Sequence, residues 1–269
     1  MSLEKLSSHK KRLLTAGVVL PALAFVIWKK GVWITLSLLL LVGLGLFEFY
    51  NFFWQEKKYL ILKLLGIVLG FVCILVPYSW GKNYFPLPEL ALLWICALSF
   101  LFSFGLLKDR FSFLDFSILF FSFFYLPVNL KIFQKLNSIE IILVFGAAFV
   151  SDTAAYYLGT LWGKQKIWSS VSPKKTWLGS GGGLLACILT TVFFGSVWGH
   201  KSLGWYVLLG TSLGIAAQLG DFFESALKRK YGVKDSGKLL PGHGGILDRI
   251  DSLLFVLPVY YAFSFFRLF

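Results

Sequence analysis

The chain has 269 residues, of which 57% are hydrophobic, 19% aromatic and only 14% charged. Soluble domains carry about 25% charged residues, so these figures exclude a soluble globular protein, and they also exclude a disordered, collagen-like or disulfide-built secreted chain. The 26 Lys and Arg against 13 Asp and Glu give a net charge of +13. That surplus either orients spans at one membrane face or attracts an anionic substrate, and nucleic acid is not expected, because no continuous polar surface is left to bind it.

A helix needs about 20 apolar residues to cross a bilayer. Apolar runs punctuated by Gly, Pro and charge predict spans near 13–28, 31–53, 60–80, 88–107, 113–130, 139–161, 178–198, 203–223 and 251–268. The expected fold class is all-α, a polytopic helical integral membrane protein of about nine transmembrane helices. Lys10-Lys11-Arg12 and Ala22-Leu23-Ala24 give the first run the look of a signal peptide. Its apolar stretch continues through Trp28 and further spans follow directly, so a retained anchor is expected. Cys73, Cys96 and Cys187 lie singly in apolar runs and read as small buried residues, neither zinc ligands nor a disulfide set.

With nine spans, 18 Lys and Arg fall at the N-terminus and the loops after even-numbered spans, against 7 on the other face. The excess predicts a cytoplasmic N-terminus and cytoplasmic polar loops. Residues 1–137 offer little polar chemistry beyond Glu48 and an Asp109–Asp115 patch, and are expected to embed and pack. Residues 138–269 hold Asp, Ser, Lys, Gly and His in and beside the last four spans, and are expected to carry the active site.

The richest stretch runs from Asp221 to Asp251. Asp221, Ser225 and Lys228 fall at i, i+4 and i+7, on one helical face. Asp221 ends an apolar span, where an ionised carboxylate is costly unless paired or bound to a cation. Asp248 and Asp251 repeat the pattern at i, i+3 on the way into the last span. Two helices can thus aim carboxylates at one point near the interface, and oxygen-only ligands suit Mg²⁺ shared with substrate phosphates. Between them lie Lys228, Arg229, Lys230, Lys234 and Lys238 and a turn-prone Pro241-Gly242-His243-Gly244-Gly245, whose glycines let backbone N–H groups approach an anion. The competing reading is a basic loop flanked by helix-capping aspartates.

Ser225-Ala-Leu-Lys228-Arg229, Lys234-Asp235-Ser236-Gly237 and Pro241-Gly242-His243-Gly244-Gly245-Ile246-Leu247-Asp248-Arg249-Ile250-Asp251 together resemble the signature of the phosphatidate cytidylyltransferase (CDP-diacylglycerol synthase) family. The motif is long and chemically mixed, and the chain shows no departure from it. The resemblance covers the last 120 or so residues closely and the whole chain loosely.

A second cluster is Ser151-Asp152-Thr153, with Gly159 and Gly163 following. Asp152 lies deep in an apolar span and is a functional candidate on that ground. The alternative is a carboxylate satisfied by neighbouring hydroxyls. Gly159 and Gly163 read as a helix-packing seam. The third cluster, Ser172-Pro173-Lys174-Lys175-Thr176 ahead of a glycine-rich span start, reads as a phosphate cradle at a helix N-terminus or as charge that sets topology. The family has a similar Ser-Pro-Lys-Lys-Thr-type loop and a Ser-Asp-containing helix, which implies that both clusters face the site.

The resemblance implies transfer of a cytidylyl group from CTP to phosphatidic acid, giving CDP-diacylglycerol and pyrophosphate, in the cytoplasmic (inner) membrane and as a homodimer. In that reading Asp221, Asp248 and Asp152 hold Mg²⁺, with room for a second cation. Asp251 binds or orients, and Lys228, Arg229, Lys234 and Arg249 meet phosphates, as do Ser172, Lys174, Lys175, Thr176 and Ser225. His243 contacts substrate or shapes its loop. A cytidylyltransferase for another lipid phosphate is the neighbouring alternative, and an ion-coupled transporter using Asp152 and Asp221 is the alternative of a different class. Two motif matches are rejected. Gly210-Thr-Ser212-Leu-Gly214 fits a hydrolase elbow but sits mid-span, and Ser225-x-x-Lys228 has its companion motifs in the wrong order.

Overall fold

The computed structural model describes residues 17–76, 105, 110–237, 239 and 244–269. Every regular element among them is helical. In order they are α1 (Gly17–Lys29), α2 (Val32–Phe53), α3 (Leu60–Leu75), α4 (Phe113–Phe123), α5 (Ser138–Leu161), α6 (Trp177–Trp198), α7 (Leu203–Lys230) and α8 (Leu247–Ser264). Among the described residues six helical stretches are long and apolar enough to cross a membrane: Val32–Phe53, Lys57–Leu75, Phe113–Gln134, Ser138–Leu161, Trp177–Trp198 and Leu203–Lys230. The protein is an integral membrane protein, and the span expected at 88–107 lies outside the described residues, as does Cys96.

The chain divides into two units, one of residues Gly31–Lys131 and one of Ile132–Phe269 together with the chain before Gly31. In the first, an aromatic pile on α2 (Phe49, Tyr50, Trp54) packs with Tyr59 and with rings after Phe111. Polar groups there are matched internally. Ser112 caps α4 in a reciprocal box with Asp115, and the other Asp115 oxygen accepts Trp54 Nε1–H at 2.8 Å. Asp115 is thus engaged in fold closure. Lys131 is buried, and its ammonium donates to the carbonyls of Cys73 (2.8 Å) and Val76 (2.9 Å) at the end of α3. A π-turn at Phe124–Val128, built around Pro127, follows α4. The proline has no N–H to give, so the chain widens there instead of continuing a regular helix.

In the second unit α5, α6, α7 and α8 pack in sequence, and α1 joins them through Ser138 Oγ, which donates to the Ile27 carbonyl at 3.4 Å. Small residues set the distances. A Cβ on Gly179 would stand 2.6 Å from the Ala155 carbonyl oxygen and 3.1 Å from Gly159 Cα, and one on Gly183 would stand 2.8 Å from the Ser151 carbonyl oxygen. The α5–α6 seam therefore runs backbone against backbone, with Gly159 a packing residue as the sequence suggests. Cys187 is buried in this unit and Cys73 in the other, both unpaired in disulfides.

The span expected at 203–223 lies within α7, which runs on to Lys230 and so keeps Asp221, Ser225 and Lys228 on the single helical face that their spacing predicts. Its last turns carry Glu224 and Lys228, and the Lys228 ammonium lies between Glu224 and Asp248 of α8, so the charges at this end of the helix are engaged inside the bundle.

Candidate active site

The α7–α8 crossing is tight because Gly220 has no side chain: a Cβ there would lie 2.5 Å from the Asp251 carbonyl oxygen and 3.0 Å from Ser252 Cα. That approach sets Asp221, next along α7, beside Asp251 at the start of α8. Ser252 Oγ stands 3.2 Å from Asp251 Oδ1 and 3.4 Å from Asp152 Oδ2, joining α8 to α5 through one hydroxyl. Asp152 lies within electrostatic reach of Asp221, Asp251 and Lys175. Three carboxylates from three helices therefore share one neighbourhood.

Lys175 arrives from the α5–α6 loop. Its ammonium is 2.6 Å from Asp221 Oδ2 and 4.1 Å from the centre of the Phe222 ring. Asp221 Oδ1 accepts from Ser225 Oγ at 3.2 Å, one turn along the same face. The loop is fixed before this point. An isolated antiparallel bridge pairs Lys166 with Thr176, and Trp177 N–H donates to the Gln165 carbonyl at 3.1 Å. Thr176 Oγ1 then caps α6 by accepting Gly179 N–H at 3.1 Å, and Arg229 Nε donates to the Val171 carbonyl at 3.3 Å. The loop and α7 are thereby bound together at two places.

One turn further on, Lys228 lies between Asp248 Oδ1 (2.6 Å) and Glu224 Oε2 (3.2 Å). Asp248 Oδ2 accepts the backbone N–H groups of Ser236 (2.9 Å) and Gly245 (2.8 Å). Gly244 has φ +82°, and a Cβ on it would stand 2.6 Å from Asp248 Oδ2, so only glycine suits the turn. Asp248 precedes the apolar part of α8. Burial by itself would raise its carboxyl, but the Lys228 ammonium and the two backbone donors outweigh that and hold it below the ordinary carboxylate range.

Glu224 is fully buried, and no donor lies against its Oε1. The Asp251 carboxyl acts on it directly. Two carboxyl groups are both acceptors, so such a contact requires a proton or a cation. Ser151 Oγ, beside Asp152 in sequence, is likewise buried without a hydrogen-bond partner. Among the described residues no three His, Cys, Asp or Glu side chains form a closed ligand set. The donor chemistry nevertheless fits a hard cation: Asp152, Asp221, Glu224, Asp248 and Asp251 gather at one end of the bundle, offering oxygen atoms alone, with Glu224 Oε1 unmatched.

A sequence model of the family described as "Cytidylyltransferase family" matches residues 10–267. The chain belongs to the cytidylyltransferase family. It is 37% identical over 256 residues to a protein of Staphylococcus epidermidis named "Phosphatidate cytidylyltransferase", covering 93% of this chain and 96% of that one. Relatives of the same name in Staphylococcus saprophyticus and Staphylococcus aureus are 36% and 35% identical, each over 93% of this chain and 96% of theirs. Membership in the cytidylyltransferase family decides against the transporter alternative.

For this cytidylyltransferase, the structure brings together Asp152, Asp221, Ser225, Asp251 and Lys175, and places Lys228 and Asp248 in the adjoining ion pair. Thr176 acts through the hydroxyl that caps α6, and Arg229 through the Val171 carbonyl. Ser172 accepts Lys175 N–H at its carbonyl, 3.3 Å away. Lys174, Lys234 and Arg249 are exposed at the same end of the helices. His243 and Lys238 lie outside the described residues. Sequence reasoning passed over Glu224 and Ser252. The Glu224–Lys228 spacing of four, on a helix already carrying Asp221, is the signal that could have found the first; Ser252 had none.

Proposed function

We propose that this member of the cytidylyltransferase family is a phosphatidate cytidylyltransferase, transferring the cytidylyl group of CTP to phosphatidic acid to give CDP-diacylglycerol and pyrophosphate. A phosphate oxygen of the lipid attacks the α-phosphorus of CTP, a new P–O bond forms, and the bond to the β-phosphate oxygen breaks as pyrophosphate leaves. A phosphate monoester is already a nucleophile near neutral pH, so no serine or cysteine intermediate is needed. The barrier is the repulsion between two anions, and the cluster is suited to removing it.

The observation that carries the reading is the interleaving of carboxylates and ammonium groups from α5, the α5–α6 loop, α7 and α8 where apolar helices meet a basic loop. Mg²⁺, held by Asp221, Asp248 and Asp152 with Asp251 beside them, would neutralise triphosphate charge and align the attack. Asp221 and Asp248, now paired with Lys175 and Lys228, would be the residues to hold the cation, and the two lysines would then be free to bind phosphate oxygens. Ser225 keeps Asp221 oriented, and Thr176 and Arg229 keep the Lys175 loop seated. Lys174, Lys234, Arg249 and His243 supply further positive charge or donors to the phosphates, and Ser172 a hydroxyl.

The charge asymmetry supports a cytoplasmic N-terminus and site in the inner membrane, where CTP arrives from water and the lipid keeps its tails in the bilayer. The family resemblance supports a homodimer. The test is pyrophosphate release by the purified full chain with CTP and Mg²⁺, with and without phosphatidic acid and with other nucleotides as controls. Release that depends on both substrates is expected. Turnover with a different lipid phosphate only, or undiminished turnover in Asp221→Ala, would overturn the reading.

A further inference from the structure

The loop from Trp162 to Trp177 carries four lysines and three tryptophans and no acidic residue. Among the described residues, Lys175 alone of those lysines is held in an ion pair, on Asp221. Lys164 and Lys166 are exposed and form no ion pair with another described residue. The tryptophans are exposed as well: Trp162 64%, Trp168 53% and Trp177 62%. Trp162 closes α5 and Trp177 opens α6, so the two indoles mark the same end of two adjacent spans. Indole rings settle at the headgroup level of a bilayer, and near-surface lysines are drawn to anionic headgroups. The bridge between Lys166 and Thr176 fixes this arrangement in place.

We propose that Lys164 and Lys166, levelled at the interface by Trp162, Trp168 and Trp177, form a docking surface for anionic phospholipid headgroups of the surrounding bilayer. Charge complementarity identifies the occupant, a loop of purely positive charge facing the headgroup layer. Its position identifies the use. The same loop carries Lys175 into the Asp221 cluster, so headgroups gathered on it stand next to the reacting end of the molecule. For turnover the inference rests on the phosphatidate reading; for lipid binding it does not.

The test compares the full chain with a Lys164→Gln, Lys166→Gln variant in phosphatidylcholine vesicles containing graded phosphatidic acid. Each near-surface lysine contributes about 5-fold in local enrichment, the equivalent of ~1 kcal/mol. The variant's KM, expressed as mole fraction of phosphatidic acid, should rise about 5- to 25-fold with kcat unchanged. High ionic strength should raise the KM of the unaltered chain towards that of the variant, because screening acts on exposed charge. Alongside, quenching of tryptophan fluorescence by brominated phosphatidylglycerol should exceed that by brominated phosphatidylcholine, and the variant should lose the preference. Equal quenching by both lipids, or an unchanged KM and salt dependence, would overturn the inference. A lipid preference that persists where no phosphatidic acid is turned over would uphold the surface and refute the phosphatidate reading instead.

Discussion

Replacing Gly179 with alanine should damage both the fold and the chemistry, whereas the same change two residues on should do neither. A Cβ at 179 would stand 2.6 Å from the Ala155 carbonyl oxygen and 3.1 Å from both Gly159 Cα and Thr176 Oγ1. Ordinary contact begins near 3.4 Å, so α5 and α6 would have to part by roughly 0.8 Å, and the obstruction is backbone that cannot rotate away. Overpacking of this kind costs about 1–3 kcal/mol. The displaced element carries Thr176 and Lys175, and a misplacement near 1 Å at a reacting centre can cost up to ~100-fold in rate. Gly181, on the same helix, has nothing within 4 Å of its would-be Cβ. Gly181→Ala should be neutral or stabilise by about 0.5–1 kcal/mol through helix propensity. Thermal unfolding in detergent and CTP-dependent pyrophosphate release, measured on both variants, decide the matter. Equal melting temperatures and equal turnover for the two would refute the claim that backbone contact at Gly179 sets the site.

Lys228→Met leaves Asp248 and Glu224 buried without their shared ammonium, and should lower stability by about 3–5 kcal/mol; unaltered resistance to denaturant would contradict that. Asp221→Asn should cut kcat by about 10²–10³-fold, in keeping with loss of a charged group at a reacting phosphate, while circular dichroism stays unchanged. Chelation followed by Mg²⁺ addition should abolish and restore turnover, and full activity in chelator would remove the cation from the proposal. Trp54→Phe deprives Asp115 of its indole donor at 2.8 Å in the other unit, costing about 1–3 kcal/mol, with kcat per folded molecule unchanged in a titration of active protein.

Much of this was legible beforehand because membrane helices announce themselves by apolar length, and because an acidic residue inside one has few innocent explanations. That argument singles out Asp152 and Asp221, and the structure places them within electrostatic reach of each other. The seam at Gly159 could also be read, since small residues four apart serve close approach. The pairing of Lys175 with Asp221 could not: periodicity describes one helix at a time, and these residues meet only after α5, α6 and α7 pack. Glu224 was overlooked because a charge near the end of an apolar run looks like the start of a loop.

The Lys131 contact bears on biogenesis. The Val76 carbonyl precedes in synthesis, by 55 residues, the ammonium that serves it. The two α3 carbonyls therefore take their donor from a part of the chain made much later, and Lys131→Met should leave both without an ammonium partner and lower the resistance of the α3 terminus to proteolysis.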